Sequence, residues 1–193
     1  LLVTRDGSQG PSGTPSASTP STPATSVDTS DIASADDDGP IEIITEDPTC
    51  APWSPIVDTF AETAAQGWND RDPSIPGREW TPTQRAQHEE IAEAMRSAAD
   101  QTIALVKLTP HRVVRELYEQ TIAYWSAYAD KIPNYAPSDN QLAKVASASS
   151  NAITYICAAI DFGSAASRAP LVTSAPHDWI FLQPATPQTL NGF

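Results

Sequence analysis

Apolar residues recur every three or four positions along four stretches of the chain, the spacing that places them on one face of an α-helix. Proline, glycine or a hydroxyl side chain bounds each stretch, as expected where helices begin and end. The pattern predicts an all-α, four-helix bundle-like domain. The predicted helices run from Pro55 to Gly67, from Thr81 to Leu108, from Thr109 to Pro133, and from Ser138 or Asp139 to Gly163.

The second helix has the clearest start signal. Thr81 supplies a capping hydroxyl, Pro82 occupies the first helical position, and Gln84 follows three residues after the cap. Thr109-Pro110 repeats the cap-and-proline arrangement. We therefore expect helices two and three to be antiparallel neighbours joined by a tight turn. His111 would then be the second residue of helix three, exposed and neutral.

The third helix carries an aromatic stripe. Tyr118, Trp125 and Tyr128 share its apolar face, so we assign them to the core. Tyr124 falls off that face. Together with Tyr135 it would edge a groove between helices three and four, the kind of place where bundles bind a lipid-like or other small apolar ligand. On helix four, the small residues of the 143–159 stretch would let a neighbouring helix approach closely.

Composition divides the chain into three parts. Gly, Pro, Ser, Thr and Ala dominate residues 1–40, which we predict to be a disordered tether because such a segment buries too little apolar surface to offset its chain entropy. Residues 41–168 form the predicted helical domain. Its first five residues, Ile41–Thr45, are β-like but have no clear partner strand, so we expect them to lie across the domain surface. Residues 169–193 form an irregular, Pro-rich tail.

The tail contains one apolar cluster, Trp179-Ile180-Phe181-Leu182. Two interpretations remain: the cluster docks on the bundle, or Trp179 and Phe181 form an exposed attachment site for a partner. We favour docking.

Cys50 and Cys157 are the two cysteines of the chain, one on each side of the predicted bundle. They are either a disulfide formed in an oxidising compartment or two unrelated buried thiols. We predict the disulfide, because Cys50 lies where order begins and Cys157 lies in an apolar helical stripe. Closing a loop of about 100 residues stabilises a fold by roughly 4.7 kcal/mol in the chain-entropy model. The bond would join the segment before helix one to the last helix.

The net charge of −13 over 193 residues, with only 11 Lys and Arg, argues against nucleic-acid partners and anionic membrane surfaces. No run of about 18 apolar residues is present, so any membrane attachment would use an anchor absent from this chain. The opening Leu1-Leu2-Val3, followed by a polar tract, resembles the end of a removed anchor or signal segment, although an arbitrary or mature boundary explains it equally well.

The sequence contains few candidates for chemistry. His88-Glu89-Glu90 resembles a zinc-protease helix, but Ala92 occupies the position of the second histidine. The chain also lacks Glu-x-x-His repeats, a Gly-x-Ser-x-Gly elbow and a phosphate-binding glycine loop. We therefore predict no metal, no cofactor and no enzymatic activity. Asp36-Asp37-Asp38 lacks the alternating ligands of a calcium loop and is interpreted as a solvated charge run.

Four segments give the chain a resemblance to an uncharacterised group of mycobacterial and related actinobacterial exported or membrane-anchored proteins. The resemblance covers residues 45–172 and implies a location in the cell envelope, with no activity attached. The four segments are Cys50-Ala51-Pro52-Trp53, Trp80-Thr81-Pro82, Arg115-Glu116-Leu117-Tyr118-Glu119-Gln120 and Ile156-Cys157-Ala158-Ala159-Ile160-Asp161.

We therefore expect an extracytoplasmic domain on the periplasmic side of the cell envelope, anchored through an upstream segment. Its predicted role is that of a non-catalytic accessory or protein-interaction domain with an envelope or membrane protein partner. The alternative is a helical domain that binds a lipid or another small apolar ligand.

Overall fold

The computed structural model describes residues 30–172, and within that range the fold is all-helical, as predicted. Helix α3 packs between α2 and α4, while α1 packs mainly against α2. A short helix, α5, follows α4, and single 3₁₀ turns occur in the connections. The helices are α1 (Cys50–Ala65), α2 (Pro82–Leu108), α3 (Arg112–Lys131), α4 (Asn140–Asp161) and α5 (Ser164–Arg168).

The start of α2 is confirmed in detail. The Thr81 hydroxyl accepts the Gln84 backbone N–H at 3.2 Å, and the Gln84 side chain accepts the Thr81 N–H at 2.9 Å. Pro82 occupies the first turn, where its missing N–H would have no helical partner. The end of α4 is also as predicted, because Gly163 terminates it in the left-handed conformation at φ 69°.

Helix α1 begins at Cys50, five residues before the predicted start at Pro55, and Pro55 lies inside it. The prediction was wrong because it took proline as the first helical residue. Cys50 and Trp53 are one turn apart and both buried, so tertiary burial extends the helix toward its N-terminus. Pro55 removes one backbone hydrogen bond without ending the helix.

The turn between α2 and α3 also differs from expectation. Thr109 closes α2, His111 precedes α3, and the helix starts at Arg112, so Pro110 is not its first residue. The antiparallel arrangement itself is confirmed, since Arg96 in the middle of α2 donates to the backbone carbonyl of Ala129 near the end of α3 at 2.9 Å.

Aromatic rings fill the centre of the bundle. Tyr118, Trp125 and Tyr128 are at most 1% exposed, which confirms their inward placement. Trp53 of α1 meets Tyr118 edge-on at 5.3 Å and stacks with Trp125 at 6.0 Å between ring centroids. One face of α3 and the first turn of α1 therefore form a single aromatic core.

Small side chains line the contact between α3 and α4. Ala143 and Ala146 of α4 are at most 1% exposed. The Thr121 hydroxyl of α3 donates to the Ser149 hydroxyl of α4 at 2.8 Å. This close approach is what the run of small residues on helix four predicted.

The disulfide between Cys50 and Cys157 is present, with a Cα–Cα distance of 5.3 Å and a sequence separation of 107 residues. One turn away, the Trp53 indole N–H donates to the Thr154 hydroxyl at 3.1 Å. The start of α1 is thus fixed to the later part of α4 by a covalent bond and a hydrogen bond.

Residues 30–40, which composition assigns to the tether, contact the bundle where they are described. Ala33 donates its N–H to the Lys107 carbonyl at 2.9 Å, and Ser34 is 2% exposed. The rest of the tether, and the tail beyond Val172, lie outside the described residues. The division of the chain into tether, domain and tail stays a prediction.

Candidate interaction surface

The leading segment, which we define as residues 41–49, is anchored by a buried polar network. The Asp47 carboxylate accepts the Thr49 N–H at 2.8 Å and the Thr49 hydroxyl at 2.5 Å. Its other oxygen accepts the Thr109 hydroxyl at 2.6 Å, and the Tyr118 hydroxyl donates to Thr49 at 2.9 Å. The network ties the segment to α3 and to the turn before it.

Burial raises the pKa of Tyr118 to about 12, although the Thr49 hydroxyl beside it opposes that shift. The phenol therefore stays protonated and acts as the donor to Thr49 throughout the physiological pH range. The direction of the hydrogen bond between Tyr118 and Thr49 is therefore the same throughout that range.

Two further contacts, one from the leading segment and one from the residues just before it, are made with the start of α3. The Asp37 carboxylate accepts the Arg112 N–H at 2.7 Å, which places a negative charge at the positive end of the helix. His111 Nε2 lies 2.9 Å from the Glu46 carbonyl oxygen, and because a carbonyl only accepts, Nε2 carries the hydrogen.

These contacts correct two expectations. Asp37 is a helix-terminal partner rather than part of a solvated charge run, and His111 is a partly buried residue preceding α3 rather than an exposed second residue.

The leading segment has no strand structure and lies across the helices, as expected. Between it and the ends of α3, α4 and α5 is a cavity of about 470 Å³, here called the apolar groove. Arg168 and Glu42 supply its charged side chains. Its apolar wall consists of Ile41, Ile43, Ile44, Val113, Ile156, Ala159 and Ala165. On the other side of the segment, a cavity of about 300 Å³ is lined by residues that include Asp37, Glu46 and Arg112.

Several large apolar side chains that line the groove, or that lie close in sequence to residues lining it, are exposed. Ile41 is 59% exposed, and Phe162, in the turn between two groove residues, is 87% exposed. Leu171 and Val172 are also exposed, just beyond α5. Large exposed apolar side chains together with an apolar groove are typical of an interaction surface.

A second cluster of functional-type side chains lies inside the fold. His88 stacks on Trp80 with ring centroids 3.8 Å apart, and its Nδ1 lies 2.7 Å from the Gln84 carbonyl oxygen. Burial lowers the pKa of His88, with the Arg71 charge acting in the same direction and the Gln84 contact opposing it. The sequence analysis did not predict that His88 is a buried residue packed on Trp80. The available signal was that His88 lies on the same helical face as Ile91 and Met95.

Tyr135 belongs to this inner cluster. It is 3% exposed, its hydroxyl donates to the Pro73 carbonyl at 2.8 Å, and its ring contacts are with Trp80, His88 and Tyr128. Burial raises its pKa to about 12.

Tyr124 is half-buried against the core and is not among those ring partners. Neither Tyr124 nor Tyr135 lines the two cavities beside the leading segment. The ligand groove between these two tyrosines stays a prediction, and Trp179 and Phe181 lie outside the described residues.

Within residues 30–172, no helix combines the length and the apolar character that crossing a bilayer requires. The same residues contain no group of three or more His, Cys, Asp or Glu side chains close enough to hold a metal ion.

Comparison with known proteins places the chain among mycobacterial sequences. A family model described as "Mycobacterial ESX-1 associated protein" matches residues 32–191. An uncharacterised protein of Mycolicibacterium smegmatis (strain MKD8) is 58% identical over 147 residues, which are 76% of this chain and 39% of that relative. The chain thus spans about two-fifths of the relative's length. No solved structure matches. The predicted resemblance to an uncharacterised mycobacterial family is confirmed, while export and anchoring stay predictions.

Proposed function

The chain belongs to the mycobacterial ESX-1 associated protein family, and we propose that it is a non-catalytic, extracytoplasmic interaction module of the ESX-1 secretion system. Its partner would be an envelope or membrane protein of that system, bound at the apolar groove and the exposed side chains around it. The observation that carries the proposal is the exposure of Ile41 and Phe162 beside a groove whose geometry is fixed by the disulfide and the Asp47 network.

The disulfide supports the extracytoplasmic part of this proposal. Protein disulfides form and persist mainly in oxidising environments, whereas cytosolic reductants keep most thiols reduced. The bond between Cys50 and Cys157 closes most of the bundle into one loop and fixes the leading segment beside α4. An exported domain would gain both stability and a preformed surface from it.

Three buried groups with perturbed pKa values support a non-catalytic role, because each of the three has a structural partner. Tyr118 donates to Thr49, Tyr135 donates to Pro73, and His88 is stacked on Trp80. Perturbed pKa values often mark catalytic groups, but they also arise in buried structural networks. These three groups belong to the core and to the anchoring network, not to the wall of the groove.

The proposal is tested by photocrosslinking in native cells. A photoreactive residue at position 162 should capture an ESX-1 component, and Ile41→Asp should abolish that capture. Ile103→Asp is the matched control, because Ile103 is an apolar residue of α2 that is 52% exposed and does not line the groove. The proposal would be contradicted if Ile41→Asp and Ile103→Asp reduced capture equally. It would also be contradicted if the captured proteins included no ESX-1 component.

The second candidate function is binding of a lipid or another small apolar ligand in the same groove. Its volume of about 470 Å³ lies within the range of roughly 300–1,000 Å³ usual for small-molecule sites. Native mass spectrometry of protein purified from its own envelope decides between the two. A co-purifying lipid lost in an Ile156→Asp variant supports this candidate, and protein of unliganded mass rejects it.

A further inference from the structure

We propose that the chain's own C-terminal segment, residues 173–193, docks in cis on the apolar groove through Trp179 and Phe181 and competes there with a partner for the same surface. This inference rests on the proposed function, because it concerns how access to the same surface is regulated. In the free protein, the occupant of the groove would be this segment.

The position where the described chain ends is the first argument. Val172 and Ala169 line a small cavity of about 100 Å³ together with Glu42 and Ile43, which also line the groove. The last described residue therefore lies at the edge of the groove. Six residues separate Val172 from Trp179, and an extended chain of this length reaches about 25 Å. Trp179 can reach the groove without any movement of the helices.

The second argument is chemical complementarity. Trp179-Ile180-Phe181-Leu182 is an apolar run in an otherwise polar, proline-containing segment. A buried aromatic side chain removes about 150–250 Å² from water, which an apolar groove of this size accommodates. Asp178 immediately precedes the run. Arg168, on the groove wall, forms no ion pair with any residue of the 30–172 range and could pair with it.

The extent of the family match is the third argument. The match begins at residue 32, next to the first described contact of Ala33 with α2, and it continues to residue 191. The region matched by the family model thus includes the C-terminal apolar run and excludes most of the tether. A segment that belongs to the same unit as the groove is a better occupant than an unrelated peptide.

Hydrogen exchange on the purified full-length chain tests the docking. The backbone N–H groups of Ile41, Ile43 and Ile44 donate to no other residue in the described part of the chain, so their protection reports on what covers them. The double variant W179A/F181A should speed their exchange at least tenfold, which corresponds to 1.4 kcal/mol of docking free energy.

Leu190→Ala is the matched control, since it removes an apolar side chain of the same segment outside the run, and it should leave those rates unchanged. Unchanged α2 exchange in each variant confirms that the bundle is intact. Equal exchange of the leading segment in wild type and W179A/F181A would overturn the proposal.

The predicted ion pair gives an independent test. Arg168→Glu should speed exchange of the leading segment, and adding Asp178→Arg should restore the wild-type rate. Failure of the reversed pair to restore protection would contradict the ion pair between Arg168 and Asp178.

Isotope mixing distinguishes a cis occupant from a second copy. A photoreactive residue at position 162, in a mixture of ¹⁴N- and ¹⁵N-labelled chains, should crosslink to residues 179–182 of the same label only. Mixed-label crosslinks would mean that another copy occupies the groove and would overturn docking in cis.

All three experiments use the free protein, so their results do not depend on whether the proposed ESX-1 partner exists. Conversely, if the partner hypothesis holds, W179A/F181A should increase partner capture. If the wild type captures a partner and W179A/F181A captures the same amount, only the docking of the C-terminal segment is rejected.

Discussion

The Thr109 hydroxyl donates to the Asp47 carboxylate at 2.6 Å, although 62 residues separate the two in sequence. Thr109 is fully buried and Asp47 is only 9% exposed, so water does not replace this bond easily. The contact fixes the leading segment to the turn between α2 and α3. The shape of the groove therefore depends in part on this long-range hydrogen bond to a charged group, together with the other contacts of the leading segment and the disulfide.

Replacing Thr109 by valine keeps the shape of the side chain but removes the donor. We expect the free energy of unfolding to fall by about 1.5–3 kcal/mol, the usual range for a buried hydrogen bond to a charged group. Thr109→Ser keeps the donor and loses one buried methyl group, at a cost of about 0.8 kcal/mol. Urea denaturation measures both values. Equal destabilisation by valine and serine would show that the hydrogen bond to Asp47 contributes little.

The packing of α4 predicts a contrast between two alanines of one helix. Ala146 is fully buried beside α3, so Ala146→Leu should overpack the interface and cost about 1–3 kcal/mol or more. Ala148 is exposed, and Ala148→Leu should change stability by less than about 0.5 kcal/mol. Thermal and chemical denaturation compare them directly. A tolerated leucine at position 146 would mean that the helices are not closely packed there.

Local signals predicted the parts of the fold that local chemistry determines. The Thr81 capping box, the Gly163 terminator and the aromatic stripe through Tyr118 and Trp125 are all set by residues within a few positions of one another. The Cys50–Cys157 pair was also predictable, because the chain offers no other partner for either cysteine.

Long-range contacts explain what the sequence did not reveal. The early start of α1 depends on burial of Trp53 against α3 and α4, and the role of Asp37 depends on a helix that starts 75 residues later. The apolar groove is formed by the leading segment and three helices. Because its lining residues are far apart in sequence, no local sequence pattern predicts it. The burial of His88 was predictable from helical periodicity, because His88 lies on the same apolar stripe as Ile91.

His88 predicts a pH dependence of stability. Its pKa in the fold is below the usual 6.5 because burial disfavours the charged ring, so the unfolded chain binds this proton more readily. The contribution of His88 to stability is therefore complete above about pH 6.5 and is lost as the pH falls through its lowered pKa.

The denaturation midpoint at pH 7.5 and pH 5 measures the effect. His88→Phe keeps a ring against Trp80 but cannot titrate, so its midpoint should fall less on acidification than that of the wild type. The same fall in both proteins would assign the pH dependence to other groups.

The disulfide predicts where the fold loosens on reduction. Cys157→Ser should lower the free energy of unfolding by about 2–5 kcal/mol. Amide exchange should increase first between residues 41 and 53, because that segment loses its covalent link to α4. Retained protection in that segment, with faster exchange elsewhere, would show that the bond stabilises the bundle without holding the leading segment.

The central claim, that this disulfide-held surface works outside the cytoplasm, is tested most directly by the state of Cys50 and Cys157 in intact mycobacterial cells. Differential alkylation at the moment of lysis, followed by mass spectrometry, labels free and bonded thiols separately. We predict that the native protein carries the Cys50–Cys157 bond with neither thiol free. Free thiols at both positions in the native protein would contradict it.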